Sequence, residues 1–181
     1  MCAKKLQPTE PAPAEQAAAF DLVFPAIPAL APDLLSLAGE EPLRALVKRH
    51  HERLRRSGVG DRFPSDDKRF DAVVRRIANF VVDTARGTPP YAPGREREWL
   101  RFRHFPITID EPARNVWLAE LLAAFDDVDF PPAARLVLWN WVEAFSIVII
   151  NRRTMMSQPR RYPFANAPAA LRQFVREDRW R

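Results

Sequence analysis

Eighteen prolines among 181 residues set the terms for any fold this chain adopts. Proline locks φ and lacks a backbone N–H, so it opens or closes a helix and is excluded from the interior. Seven fall within the first 42 residues; the others stand at 64, at 89, 90 and 93, at 106 and 112, at 131 and 132, and at 159, 163 and 168. The gaps between them are long enough for helices, and their apolar residues recur at helical spacing. Over 41–56, Leu43, Leu46, Val47, His50 and Leu54 form one stripe, closed by Ser57-Gly58-Val59-Gly60. Ser65 before Asp66 and Asp67 predicts an N-cap followed by an acidic first turn. The helix expected over 66–85 then aligns Phe70, Val73, Val74, Ile77, Phe80 and Val81. Two further helices are expected, over 111–126 from Asp110-Glu111-Pro112 and over 132–153 after Pro131, the latter with Leu136, Leu138, Trp139, Val142 and Phe145 inward. Strand-like alternation is confined to Ile107-Thr108-Ile109. The expected class is all-α.

With 47% apolar residues the chain carries enough for one real core. A single cysteine, Cys2, excludes a disulfide framework and a cysteine-based zinc site, and fits a reducing compartment. The longest apolar run, Ala144 to Ile150, is interrupted by Ser146 and falls far short of the roughly 20 residues of a membrane span. Lys4 and Lys5 are followed by Pro8, Glu10, Pro11 and Pro13 where a signal peptide needs apolar residues. A soluble cytoplasmic protein with no membrane partner is therefore expected. Net charge is +5 and the pI about 10.0, which raises nucleic acid as a partner. Yet the 24 arginines and four lysines are spread through every segment and interleaved with Asp and Glu, the pattern of solvated faces more than of a phosphate-binding stripe. The Ala/Pro-rich residues 1–36 read as an N-terminal extension, with an apolar segment from Phe20 to Leu30 that could dock. Residues 37–154 read as the main domain, and 155–181 as a C-terminal extension with a short helix over 168–178.

The connection 87–106 is long for a compact helical domain, which marks it as functional. It is mostly polar and ends on a histidine, His104, framed by Phe102 and Phe105 and followed by Pro106. The chain has two other histidines, the adjacent His50 and His51.

Several motifs occur in a telling order. Gly39-Glu40-Glu41-Pro42-Leu43 precedes the first stripe; Gly87-Thr88-Pro89-Pro90-Tyr91 is a Gly-Pro turn with a tyrosine; Leu100-Arg101-Phe102-Arg103-His104 follows; and Arg114-Asn115-Val116-Trp117-Leu118 places Trp117 13 residues after His104. Over about 38–153 this set resembles the truncated haemoglobins, the short 2-on-2 helical globins, and within them group II. The resemblance implies a globin-like helical sandwich around haem b, with His104 as the proximal iron ligand. It implies that Trp117 is the distal indole, and that Phe63 and Ile77 belong to the distal wall. Arg103 and Tyr91 are matched to the rim that binds the propionates, with Arg101 and Arg97 as alternatives.

A haem needs one oriented neutral imidazole and an apolar envelope. The other ring nitrogen of His104 is expected to donate to a main-chain carbonyl within 99–102, which fixes the tautomer. Phe63, Phe70, Ile77, Phe80, Phe102, Phe105 and Trp117 are candidate walls. Val73 stands where globins often carry a polar distal residue and offers no donor. The family usually has a tyrosine where this chain has His51. His51 could donate to a bound ligand, coordinate iron directly, or respond to pH; His50, on the apolar stripe, is the alternative inward histidine.

The resemblance implies a protein that binds O2, NO or CO at the open iron position, with NO-dioxygenase or peroxidase-like turnover through an unidentified reductase. Coordination by His51 would favour electron transfer or sensing. Competing readings are a basic helical nucleic-acid-binding or interaction protein and a haem-free globin-like sensor. The long apolar helix faces, the lack of a recognition-helix motif and the presence of His104 weigh against both.

Overall fold

Residues 22–30, 33–155 and 157–177 are described by the computed structural model, and among them the only regular elements are helical. These are α1 (Asp33–Ala38), α2 (Glu40–Arg55), a 3-10 turn (Gly60–Arg62), α3 (Asp67–Ala85), α4 (Glu96–His104), α5 (Glu111–Asp127), α6 (Pro132–Val148) and α7 (Ala167–Glu177). Cys2 and Phe20 lie outside the described residues.

Local chemistry explains most boundaries. Gly39 precedes α2 at φ 78°, a left-handed conformation that costs glycine little. The cap of α3 is Asp66, one residue later than expected: its carboxylate accepts from the Arg69 N–H at 2.8 Å. Asp110 caps α5 in the same way through Ala113 N–H at 2.9 Å, and Pro112 occupies the first turn, where its missing N–H is harmless. At Gly60 a Cβ would run into the Arg55 carbonyl, so the turn after α2 can close only over glycine.

Three expectations are corrected. The helix expected over 132–153 stops at Val148. Its natural continuation is pre-empted because Asn151 N–H and Arg152 N–H both donate to the Ile109 carbonyl at 3.0 Å. And the end of the long connection, 96–104, is a helix. Leu136, expected inward, is 50% exposed.

α2 packs on α3 and α5, α6 packs on α1, α5 and α4, and α7 covers the other side of α5. Trp139, Phe125, Phe130, Leu34, Leu118 and Leu171 are fully buried in the main core. The residues before and after the expected main domain belong to that same core. Leu30, Leu34, Tyr162, Ala167 and Leu171 are all buried in it, and the Trp139 indole N–H donates to the Tyr162 carbonyl at 2.8 Å.

Because α5 is covered on two sides, charged residues on it are buried and paired. Arg114, 2% exposed, bonds Glu143, the Ser146 hydroxyl and the Arg160 carbonyl. Glu143 also accepts from Arg161 and from Tyr162 N–H. Glu111 accepts from Arg153 and Thr154, and Glu120 from Arg53. These arginines are structural, not solvated decoration.

Candidate functional site

Between α2, α3, α4, α5 and α6 lies a cavity of about 680 Å³, inside the range of cofactor sites. All three histidines line it, together with Phe63, Val73, Ile77, Phe80, Trp117 and Arg103.

The backbone dictates the state of each imidazole. His104, the last residue of α4, bonds the Leu100 carbonyl through Nδ1 at 2.7 Å. The two residues are one helical turn apart, so the bond is local to α4. A carbonyl only accepts, so Nδ1 carries the proton and Nε2 keeps its lone pair. Burial holds this imidazole below its ordinary pKa, hence neutral. His51 repeats the arrangement on α2: Nδ1–H donates to Val47 O at 2.7 Å, and burial lowers the pKa to about 4. His50 has the opposite tautomer, with Nε2–H donating to the Trp117 carbonyl at 2.9 Å. Burial, then the neighbouring His51, push its pKa well down. The rings of His50 and Trp117 meet edge-on at 4.8 Å, and His51 meets Phe63 at 5.9 Å. The Trp117 indole N–H has no hydrogen-bond partner among the described residues.

Five expected site residues are placed elsewhere, the first of them Phe70, which is buried in the main core and off the cavity. Phe102 is 80% exposed and off the cavity, as is Phe105 at 81%. On a helix that turns Leu100 and His104 inward, the residue midway between them must point away. Arg101 donates to the Val148 and Ile150 carbonyls and lies over the Phe24 ring, so it anchors α4 to α6. Tyr91 packs on Phe80 and Trp99 outside the cavity. Conversely, Trp99, Trp141, Phe145 and Arg76 line the cavity although none was expected in the site, Phe145 having been expected only to face inward. The four-residue spacing of Trp141 and Phe145 on α6 was the available signal; nothing local marked Arg76.

Comparison with known proteins agrees with this geometry. The profile of the bacterial-like globins matches residues 36–151. The chain belongs to this globin family. A solved structure described as "Crystal structure of phosphate-bound Hell's gate globin IV" is 41% identical, with a TM-score of 0.73, over 83% of this chain and 94% of that one. No curated protein matches significantly. The fold is accordingly a globin-like helical sandwich, and the globin is a haem-binding protein for diatomic gases.

The cavity fits a haem on its own evidence. Its walls are largely aliphatic and aromatic, one neutral histidine offers a lone pair from α4, and Arg103, Arg76 and Arg62 bring cationic groups of the kind that could pair with propionates to its lining. Among the described residues no cluster of three or more His, Cys, Asp or Glu side chains could hold a bare metal ion. No helix among them is long and apolar enough to cross a membrane.

Proposed function

We propose that this globin holds haem b through Nε2 of His104 and binds O2, NO or CO in the same cavity, where Trp117 and His51 also face it. The observation that carries the reading is the pair of backbone bonds, Leu100 to His104 and Val47 to His51, which leave two neutral imidazoles of matching tautomer lining one cavity. Bound there, haem would supply an iron that the His104 imidazole can hold and that a diatomic gas can ligate.

The tautomers divide the labour. His51 in this form can only accept at Nε2, so it is a poor donor to bound O2 and a competent sixth ligand. The unpartnered Trp117 N–H is then the donor to a bound gas, a bond worth ~1–3 kcal/mol or roughly 5- to 150-fold in escape rate. His50 holds the Trp117 backbone and orients the indole. Arg103 and Arg76 hold the propionates. A gas-free ferrous state with His51 on iron is the second reading, favoured by that same lone pair; it would suit electron transfer or sensing. NO dioxygenation or peroxidase-like turnover would use the same pocket, with electrons from a separate reductase.

The test is optical. Purified protein reconstituted with haem should show a Soret band that His104→Ala abolishes or shifts to a weak, easily lost form. The ferrous spectrum then reports coordination, and His51→Leu should convert any six-coordinate signal to five. Trp117→Phe should speed O2 dissociation. Protein that takes up no haem would refute the reading; unchanged O2 escape in Trp117→Phe would refute the assignment of the donor.

A further inference from the structure

A continuous chain of touching aromatic rings leaves the cavity for the surface. Trp117 on α5 meets Phe145 on α6 at 6.1 Å; Phe145 stacks on Trp141 at 5.3 Å, with 8° between the planes. Trp141 meets Phe80 of α3 at 5.9 Å, Phe80 stacks on Trp99 of α4 at 5.1 Å, and Trp99 meets Tyr91 at 5.7 Å. Each spacing is that of aromatic rings in van der Waals contact. The first five rings line the cavity. Tyr91 does not, and it is partly exposed.

Apolar enclosure alone does not require tryptophan and tyrosine in this order. Their rings are the ones a side chain can most readily give an electron from; phenylalanine serves only as a packed bridge. Fixed charges add a direction. The Arg103 guanidinium lies 5.1 Å from the Trp99 ring centroid, so positive charge left on that indole is disfavoured. Partial burial, and then the Glu96 carboxylate, raise the Tyr91 pKa above its ordinary value. A carboxylate there favours loss of an electron and a proton together from the phenol. The other tyrosine, Tyr162, is 4% exposed, in the main core.

We propose that Tyr91 is a surface site of one-electron oxidation, connected to the cavity through Trp99, for aromatic reductants too bulky to enter. This rests on the haem reading and on its peroxide branch. The oxidant is hydrogen peroxide: its O–O bond breaks in the cavity and it takes up two electrons and two protons to leave two waters. Each electron is delivered by Tyr91 through Trp99, and the phenolic proton passes to Glu96 or to water. A reductant RH at the surface then restores the phenol by giving back one hydrogen atom. The balance is H2O2 + 2 RH → 2 H2O + 2 R•.

The haem-loaded ferric protein, mixed with one equivalent of peroxide and frozen, should give a tyrosyl signal by electron paramagnetic resonance. Tyr91→Phe keeps the ring and its packing but should lose that signal in favour of a tryptophanyl one, and mass spectrometry should place a spin-trap adduct on Tyr91 of the parent chain. Oxidation of a bulky sulfonated azo dye should fall at least tenfold in Tyr91→Phe, while the Soret response to peroxide keeps its rate. Trp99→Phe should delay the tyrosyl signal. A tyrosyl signal and dye oxidation that persist in Tyr91→Phe overturn the proposal. A Soret response with no protein radical overturns it too and leaves the haem reading intact; no Soret response to peroxide removes the peroxide branch and the proposal with it.

Discussion

At the scale of single residues, the state of each histidine is set by a carbonyl within reach. His51 shows the thermodynamic consequence. Its folded-state pKa of about 4 lies below the 6.5 of an ordinary histidine, so between those pH values the unfolded chain binds a proton that the folded chain refuses. Stability of the haem-free protein must therefore fall on acidification from about pH 6.5 and bottom out below 4, by about 3 kcal/mol for this group. His50 adds in the same direction. Urea unfolding at pH 7 and pH 5 should show a smaller pH dependence in His51→Leu than in the parent, by about 2 kcal/mol. Equal slopes would mean that His51 is not buried as described. Gly60 offers a second test at this scale. Alanine there meets the Arg55 carbonyl, and a loss of roughly 1–3 kcal/mol is expected in the same denaturation experiment.

At the scale of elements, α4 decides whether there is a site at all. Its nine residues are short for a free-standing helix, and tertiary bonds hold it in place. Asn151, just past α6, donates through Nδ2 to the His104 carbonyl at 3.0 Å and the Ile107 carbonyl at 2.7 Å, and its Oδ1 accepts from Ile109 N–H at 2.8 Å. Asn151→Ala removes all three at an exposed position, costing about 1–2 kcal/mol. Because these bonds clamp the residue proposed to hold iron, haem transfer to an acceptor apoprotein should also quicken severalfold. An unchanged transfer rate would show that the clamp is not needed. The stripes of α2 and α3 were legible in the sequence because their spacing is self-contained. The stretch 96–105 reads as a polar connection because its apolar residues, Trp99, Leu100, Phe102 and Phe105, do not share one face: Leu100 turns inward and the two phenylalanines turn out.

For the molecule as a whole, the C-terminal segment is part of the core. Leu171 and Ala167 on α7 are fully buried, and α7 covers α5. Leu171→Ala should cost about 2–5 kcal/mol, as for other buried leucines. The Arg114–Glu143–Arg161 network ties that segment to α5 and α6. Glu143→Ala leaves the Arg114 guanidinium without its buried counter-charge, and a loss of about 3–5 kcal/mol is expected in thermal or urea unfolding. If both variants unfold like the parent, the segment is only laid on the surface. Sequence reading separated 155–181 as an extension because proline and arginine dominate it; the burial of Tyr162 and Leu171 depends on α5 and α6, which lie far away along the chain.

The amino-acid order alone determined the all-helical class, the proline and Asp110 boundaries, the identity of His104 as the residue to watch, and the local reach of its Nδ1 to a carbonyl one turn earlier. The class, the boundaries and the carbonyl depend on interactions within a few residues; His104 was marked by its place in an ordered set of motifs along the chain. Only the tertiary structure decided that both His50 and His51 line the cavity, that Phe102 and Tyr91 do not, and that Arg114 and Glu143 are interior. A periodic stripe specifies which side chains share a face; which faces are covered, and whether a buried charge finds its partner, depends on elements brought together from distant parts of the chain.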